Sequence, residues 1–186
     1  CELIGDALIV SFLAGTPLAR LPVRIAHERR IRVMTSAPDT IVRGAAIAGV
    51  YPRGNPVIEE LLGALRVEQF FLDSEGDMHA FTALGVCLPI VLACWRAQGD
   101  AVDEEALMIC ARSHGLGNYK AILDWALRTE PRFATPGARE DYLAAAATPG
   151  GVTEAMIRSI HAGGSLAEAL ECGICRSEEL SRGSSE

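Results

Sequence analysis

The chain has 186 residues, is 49% hydrophobic but only 5% aromatic, and carries a formal charge of −7. That length holds one domain, or one and a fraction. The acidic balance excludes a nucleic-acid partner, whose phosphates need clustered Lys and Arg, and the composition predicts a core of Ala, Leu, Ile and Val packed mainly in helices.

Asp6-Ala7-Leu8-Ile9-Val10-Ser11-Phe12-Leu13-Ala14-Gly15 is an unbroken apolar run closed by Gly, which reads as a buried parallel strand. A short helix or irregular crossover is expected over 17–26. The densest basic run, 24–32, is broken by Glu28 and reads as a solvated face. Ile31-Arg32-Val33-Met34 predicts a second strand, stopped by Thr35-Ser36-Ala37-Pro38-Asp39, and 45–50 a third, bounded by Gly44 and Pro52-Arg53-Gly54. Asn55-Pro56 is a helix start with Asn as cap and Pro at the first helical position; Ile58, Leu61, Leu62 and Leu65 then form one apolar stripe. Gln69-Phe70-Phe71-Leu72 predicts one more strand. Strands alternating with helices over 6–72 point to part of a parallel sheet.

After Asp73 the pattern becomes helical. Ser74-Glu75-Gly76-Asp77 can cap a long apolar helix through Trp95, bent at Pro89 where an intrahelical bond is lost. Its stretch 80–95 is the most membrane-like in the chain, yet it falls short of the ~20 residues a spanning helix needs and contains a proline, so a buried core or dimer helix is expected and no membrane. Further helices are predicted over 103–114, ended by Gly115-Leu116-Gly117, over 118–129, and over 139–147 after a loop at 131–137. Ser165-Leu166-Ala167-Glu168 is a capping box opening the last helix. The polar tail 181–186 is expected to be disordered, with 183–186 outside the helical domain.

The six cysteines, at 1, 87, 94, 110, 172 and 175, have mainly apolar helical neighbours and read mostly as small buried hydrophobes of a reducing compartment, hence a cytoplasmic protein. Cys172-Gly173-Ile174-Cys175 has redox or zinc spacing, but no second pair completes a site and no strand precedes it, so no metal is expected. The histidines add nothing: His79 and His161 have no second ligand at metal spacing, His27 lies in a charged run, and His114 precedes a helix stop. The chain opens at Cys1 with no methionine and shows no signal peptide, which leads to the expectation of a truncated protein rather than a processed lipoprotein.

The stretch that organises the chain is Ala147-Thr148-Pro149-Gly150-Gly151-Val152-Thr153-Glu154-Ala155-Met156. Pro149 cannot extend the preceding helix, and two glycines let the chain turn sharply before helix resumes near Thr153. Unpaired amides and the helix dipole suit such an end to a small anionic or hydrogen-bonding ligand. An ordinary interhelix turn, with Thr153 as a plain cap, explains the same residues.

Thr148-Pro149-Gly150-Gly151-Val152-Thr153 resembles the signature of pyrroline-5-carboxylate reductases: serine-proline-glycine-glycine, any residue, then the threonine that opens a helix beside the substrate. Gly163-Gly164 and the last helix continue the likeness. Leu8-Ile9-Val10-Ser11-Phe12-Leu13-Ala14-Gly15 is similar to the family's late Rossmann strand beside the nicotinamide, and Arg32-Val33-Met34-Thr35-Ser36-Ala37-Pro38 to its arginine-x-methionine-x-asparagine-threonine-proline segment. The resemblance implies an α/β partial Rossmann sheet over 1–73 and an all-α dimerisation and substrate domain over 74–182, mostly helical overall. It also implies NADPH or NADH near Ala14, Gly15, Met34, Ser36 and Pro38. A small cyclic imine would lie near Gly85, Val86, Cys87, Gly150, Gly151 and Thr153, with Thr153 at the imine nitrogen, and the helical domain would form a homodimer or higher homo-oligomer.

Three departures stand out. No Gly-x-Gly-x-x-Gly follows a strand, so the pyrophosphate-binding turn is absent from these residues. Where the family binds the substrate carboxylate with serine-glycine-serine-glycine-proline, this chain has Gly85-Val86-Cys87-Leu88-Pro89; bulk at Val86 and Leu88 predicts a poor anion cradle and a substrate other than the proline precursor. Ser36 and Ala37 replace asparagine and threonine. The sequence therefore leads to two expectations, an imine reductase with altered substrate or truncated form, and a non-catalytic dimerisation module of the same descent.

Overall fold

A computed structural model of the chain describes residues 7–21 and 26–183. Residue 1, the expected strand start at Asp6, part of the 17–26 crossover and residues 184–186 of the expected tail lie outside the described residues. The protein is 58% helical and 10% strand, a small mixed sheet followed by helices. It divides into two compact units, Cys1–Met78 with Glu179–Glu186, and His79–Glu178.

In the first unit the strands β1 (Ile9–Ser11), β2 (Arg30–Thr35), β3 (Ile47–Tyr51) and β4 (Glu68–Phe71) lie side by side in chain order. β1 and β2 are parallel, β2 and β3 antiparallel, β3 and β4 parallel. The expected all-parallel sheet is thus corrected to a mixed one. The reason lies between β2 and β3, where only the five-residue helix α1 (Pro38–Val42) intervenes. Ser36 Oγ accepts from Ile47 N at 3.0 Å and meets Thr40 Oγ1 at 2.6 Å, so the chain doubles back.

Two expectations of burial fail in this unit. β1 covers three residues of the ten-residue apolar run, and Phe12 and Leu13 beyond it are 54% and 59% exposed. Helix α2 (Pro56–Ala64) is capped by Asn55, whose Oδ1 accepts from Ile58 N, but it buries only Ile58 and Leu62, one turn apart; Leu61 and Leu65 face outward. Ile58 and Leu62 pack with Ile31, Val33, Ala48, Val50 and Val67. The basic run is no solvated face at its end: Arg30 and Arg32 are buried because β2 is an interior strand. Arg32 Nη1 pairs with Glu75 Oε1 at 3.2 Å, and the same oxygen accepts from Leu18 N at 2.7 Å. Burial lowers the Arg32 pKa, partly offset by the Glu75 charge.

The helices that follow are α3 (Asp77–Phe81), a π-helical segment Thr82–Cys87, α4 (Leu88–Trp95), α5 (Glu104–Ser113), α6 (Tyr119–Thr129), α7 (Pro136–Ala146), α8 (Val152–His161) and α9 (Leu166–Arg182). The predicted caps form: Ser74 and Asp77 exchange bonds reciprocally, as do Ser165 and Glu168; Asp103, expected as the first residue of its helix, caps it instead and accepts from Ala106 N. Ser181 and Arg182, expected in the disordered tail, belong to α9. The stretch Asp77–Gln98 is long and apolar enough to cross a membrane, yet 83% of its most apolar window is buried inside the protein. In the second unit Gly173 of α9 is closely approached: an added Cβ would sit 2.7 Å from Met156 Cγ on α8 and 3.2 Å from Ala83 Cβ in the π segment.

Candidate functional site

The glycine turn is built as its residues require. Gly151 N donates to Thr148 O at 2.8 Å, and Gly150 takes φ +71, the left-handed region that favours glycine. A Cβ on Gly151 would lie 2.9 Å from the Thr148 carbonyl oxygen, so that position is closed to larger residues. Gly151 is the cap of α8, and its backbone alone performs that role. Thr153 sits two residues into the helix, which removes the plain-cap explanation for it.

Thr153 is buried, at 8% exposure, rather than open at the mouth of the turn. Its hydroxyl donates to Cys87 Sγ at 3.3 Å. Burial pushes the Cys87 thiol up to about 11, against the smaller opposing effect of the Thr153 bond. The exposed end of the turn supplies its own anion: Gly150 N donates to Glu154 Oε2 at 2.8 Å, Arg158 pairs with the same oxygen at 2.9 Å, and Arg176 Nε donates to Gly150 O at 2.7 Å. A helix start that attracts negative charge has here drawn in a carboxylate from its own first turn.

Gly85, Val86 and Cys87 lie in the π-helical segment, Gly85 and Cys87 buried and Val86 half-buried. This widening of the helix comes immediately before Pro89, where a bend is expected. Pro89 has no N–H, and in π geometry the carbonyl five residues back is that of Leu84. Tyr119, fully buried on α6, donates its hydroxyl to Leu84 O at 3.2 Å and fills that place. Neither Gly85 nor Val86 has positive φ, so the β-branched side chain of Val86 meets no backbone strain. π segments of this kind recur at functional sites.

The residues expected to hold the nicotinamide lie in the first unit. Because β1 and β2 run parallel, Ala14-Gly15 and Ser36-Ala37-Pro38 follow the carboxyl ends of neighbouring strands at one edge of the sheet, where open α/β sheets bind ligands. Gly15 has φ +73, and a Cβ there would come within 3.0 Å of Leu180 Cβ. Ala14 and Pro38 are exposed, whereas Met34 is buried and Ser36 is buried with its hydroxyl engaged by Thr40 and Ile47. Ser36 thus uses its hydroxyl to close the loop between β2 and β3.

Two cavities of the helical unit lie elsewhere. One of about 460 Å³ is lined by Cys94, Arg139, Leu143, Ile157 and His161 among others, and one of about 340 Å³ by Arg96, Phe133 and Arg139. Neither includes an expected site residue. Of the cysteines, 87, 94 and 110 are buried as expected, but Cys172 and Cys175 are exposed on α9. One grouping was not anticipated: Cys110, His114 and Glu171 converge in the helical unit. Cys110 and His114 stand four residues apart, a readable helical spacing, but Glu171 is 57 residues beyond His114 and only folding brings it there. No protein-family model matches the chain, and no curated protein gives a significant match.

Proposed function

We propose that this chain is part of an NAD(P)H-dependent imine reductase resembling pyrroline-5-carboxylate reductase, acting on a small cyclic imine other than the proline precursor. The observation that supports it is the Thr153–Cys87 contact. It joins the glycine-turn helix start to the 85–89 segment, the two stretches in which the resemblance locates the substrate. A bound nicotinamide cofactor would supply hydride to the carbon of a C=N bond. Its pyrophosphate has no Gly-x-Gly-x-x-Gly turn among these 186 residues, and of the positions the resemblance assigns to the nicotinamide, Ala14 and Pro38 are the exposed ones.

The part left to this chain is the nitrogen end of the imine. Thr153 is a poor acid by itself, and its use is to orient the nitrogen or to pass it a proton through water. That requires the hydroxyl to turn away from Cys87, a rotation about one side-chain bond. With Val86 and Leu88 in place of small residues and Glu154 on the Gly150 amide, a substrate carrying a carboxylate is disfavoured at the turn.

A second reading, a non-catalytic dimerisation module, is favoured by α7. None of its described residues is buried, though its sequence includes Tyr142, Leu143 and a run of alanines. A helix with this content gains most of its stability by packing on another surface, and a second copy of the chain is the proposed occupant. Titrating NADH and NADPH into the chain, alone and together with any coding sequence found upstream of it, separates the two. Affinity in the longer form supports the reductase; an absence of affinity for both nucleotides together with a stable dimer leaves the module.

A further inference from the structure

We propose that Cys110 Sγ, His114 Nε2 and the Glu171 carboxylate form a binding site for a divalent ion of the zinc class, with water as fourth ligand, clipping the end of α5 to α9. The inference is independent of the reductase reading. Asp103 caps the start of α5, and Gly115, at φ +83, stops it. Between these signals Cys110 and His114 fall on one face, a turn apart. Glu171 faces them from α9.

The donor atoms all lie within 4.8 Å of one another. His114 Nε2 is 2.8 Å from Glu171 Oε2, and Cys110 Sγ is 3.3 Å from Glu171 Oε1. A tetrahedral zinc ion with bonds of 2.0 to 2.3 Å separates its ligands by about 3.3 to 3.8 Å, so small side-chain rotations open the space. One thiolate, one imidazole and one carboxylate is a donor set for zinc or cobalt; magnesium and calcium prefer oxygen alone.

The charges agree. A thiolate and a carboxylate cancel a dication, and the neutral imidazole adds none. The ion replaces the proton between Cys110 and Glu171. On binding, the S–H bond breaks, its proton leaves to solvent, sulfur donates its pair to the metal, and the imidazole carries its proton on Nδ1 with Nε2 coordinating. Exposure rises outward across the three: Cys110 is buried, the His114 side chain is 29% exposed and that of Glu171 46%. The ion thus enters from the carboxylate side and keeps a position open to water.

The test is a Co²⁺ titration of the full chain followed by Zn²⁺ competition. Expected is saturation at about one equivalent, with a thiolate-to-cobalt charge-transfer band that zinc abolishes. Cys172→Ser/Cys175→Ser, which removes the exposed thiols, keeps the band, and Cys110→Ser loses it. Glu171→Gln, at a half-exposed position that spares the core, weakens cobalt binding at least about tenfold. A band that persists in Cys110→Ser, unchanged affinity in folded Glu171→Gln, or no saturable binding at all overturns the proposal.

Discussion

Thr153 and Cys87 are 66 positions apart, and the hydroxyl of one donates to the sulfur of the other at 3.3 Å inside the helical unit. This bond gives the proposed site a substitution that separates chemistry from structure. Thr153→Val keeps the shape and removes the hydroxyl; one bond to sulfur, a weak acceptor, is lost, costing about 1 kcal/mol. If the hydroxyl serves the imine nitrogen, turnover by the cofactor-binding form falls about 100-fold while Thr153→Ser restores most of it. Steady-state kinetics with a cyclic imine measures both, and undiminished turnover in the valine variant assigns Thr153 to packing alone.

Cys87 predicts a loss of stability in alkali. Its folded pKa of about 11 lies above the ordinary value of 9.0, so the folded state holds the proton that the unfolded state gives up. The stabilisation is fully present below pH 9 and is lost as pH rises toward 11, by about 2 to 3 kcal/mol from this group. Urea midpoints across that range measure it in wild type against Cys87→Ala, whose slope with pH should be shallower. Alkylation of the native protein near neutral pH, mapped by peptide mass, should reach Cys172 and Cys175 before Cys87.

Arg32 is 1% exposed and depends on Glu75 for its counter-charge. Glu75→Gln leaves a buried guanidinium without an anion and should cost about 3 kcal/mol, the lower end of the range for a broken buried pair because Glu75 is itself partly in water. Arg32→Met, which removes the charge together with its desolvation cost, should cost less. Chemical denaturation of the two variants ranks them, and the reverse order would mean that Glu75 matters chiefly as the acceptor for Leu18 N.

Tyr119→Phe tests the π segment. It strips the Leu84 carbonyl of the hydroxyl that bonds it and should destabilise the chain by about 1 to 3 kcal/mol. Pro89→Ala restores a backbone N–H near that carbonyl, so the double variant should recover part of the loss. Thermal unfolding of the three proteins measures the coupling, and strictly additive losses would mean that proline and tyrosine act separately.

What could be read without coordinates follows a physical division. Caps were legible because a cap is settled by residues three positions apart, as at Ser74 with Asp77 and Ser165 with Glu168. Burial was less legible: Leu61 and Leu65 share helical spacing with Ile58 and Leu62, and only the sheet surface below them decides which pair is covered. Arg32 misled for the same reason. Its charge argued for solvent until an interior strand and Glu75 gave it a buried place.

The sequence by itself determined the sheet-then-helix order, the caps at Asn55, Ser74 and Ser165, and the sharp turn at Pro149-Gly150-Gly151, since each depends on backbone freedom and contacts within a few residues. Tertiary structure alone decided that Thr153 meets Cys87 and that Glu171 joins Cys110 and His114. Those outcomes rest on contacts closed across many residues, where the packing of whole elements, and no local preference, selects the partner.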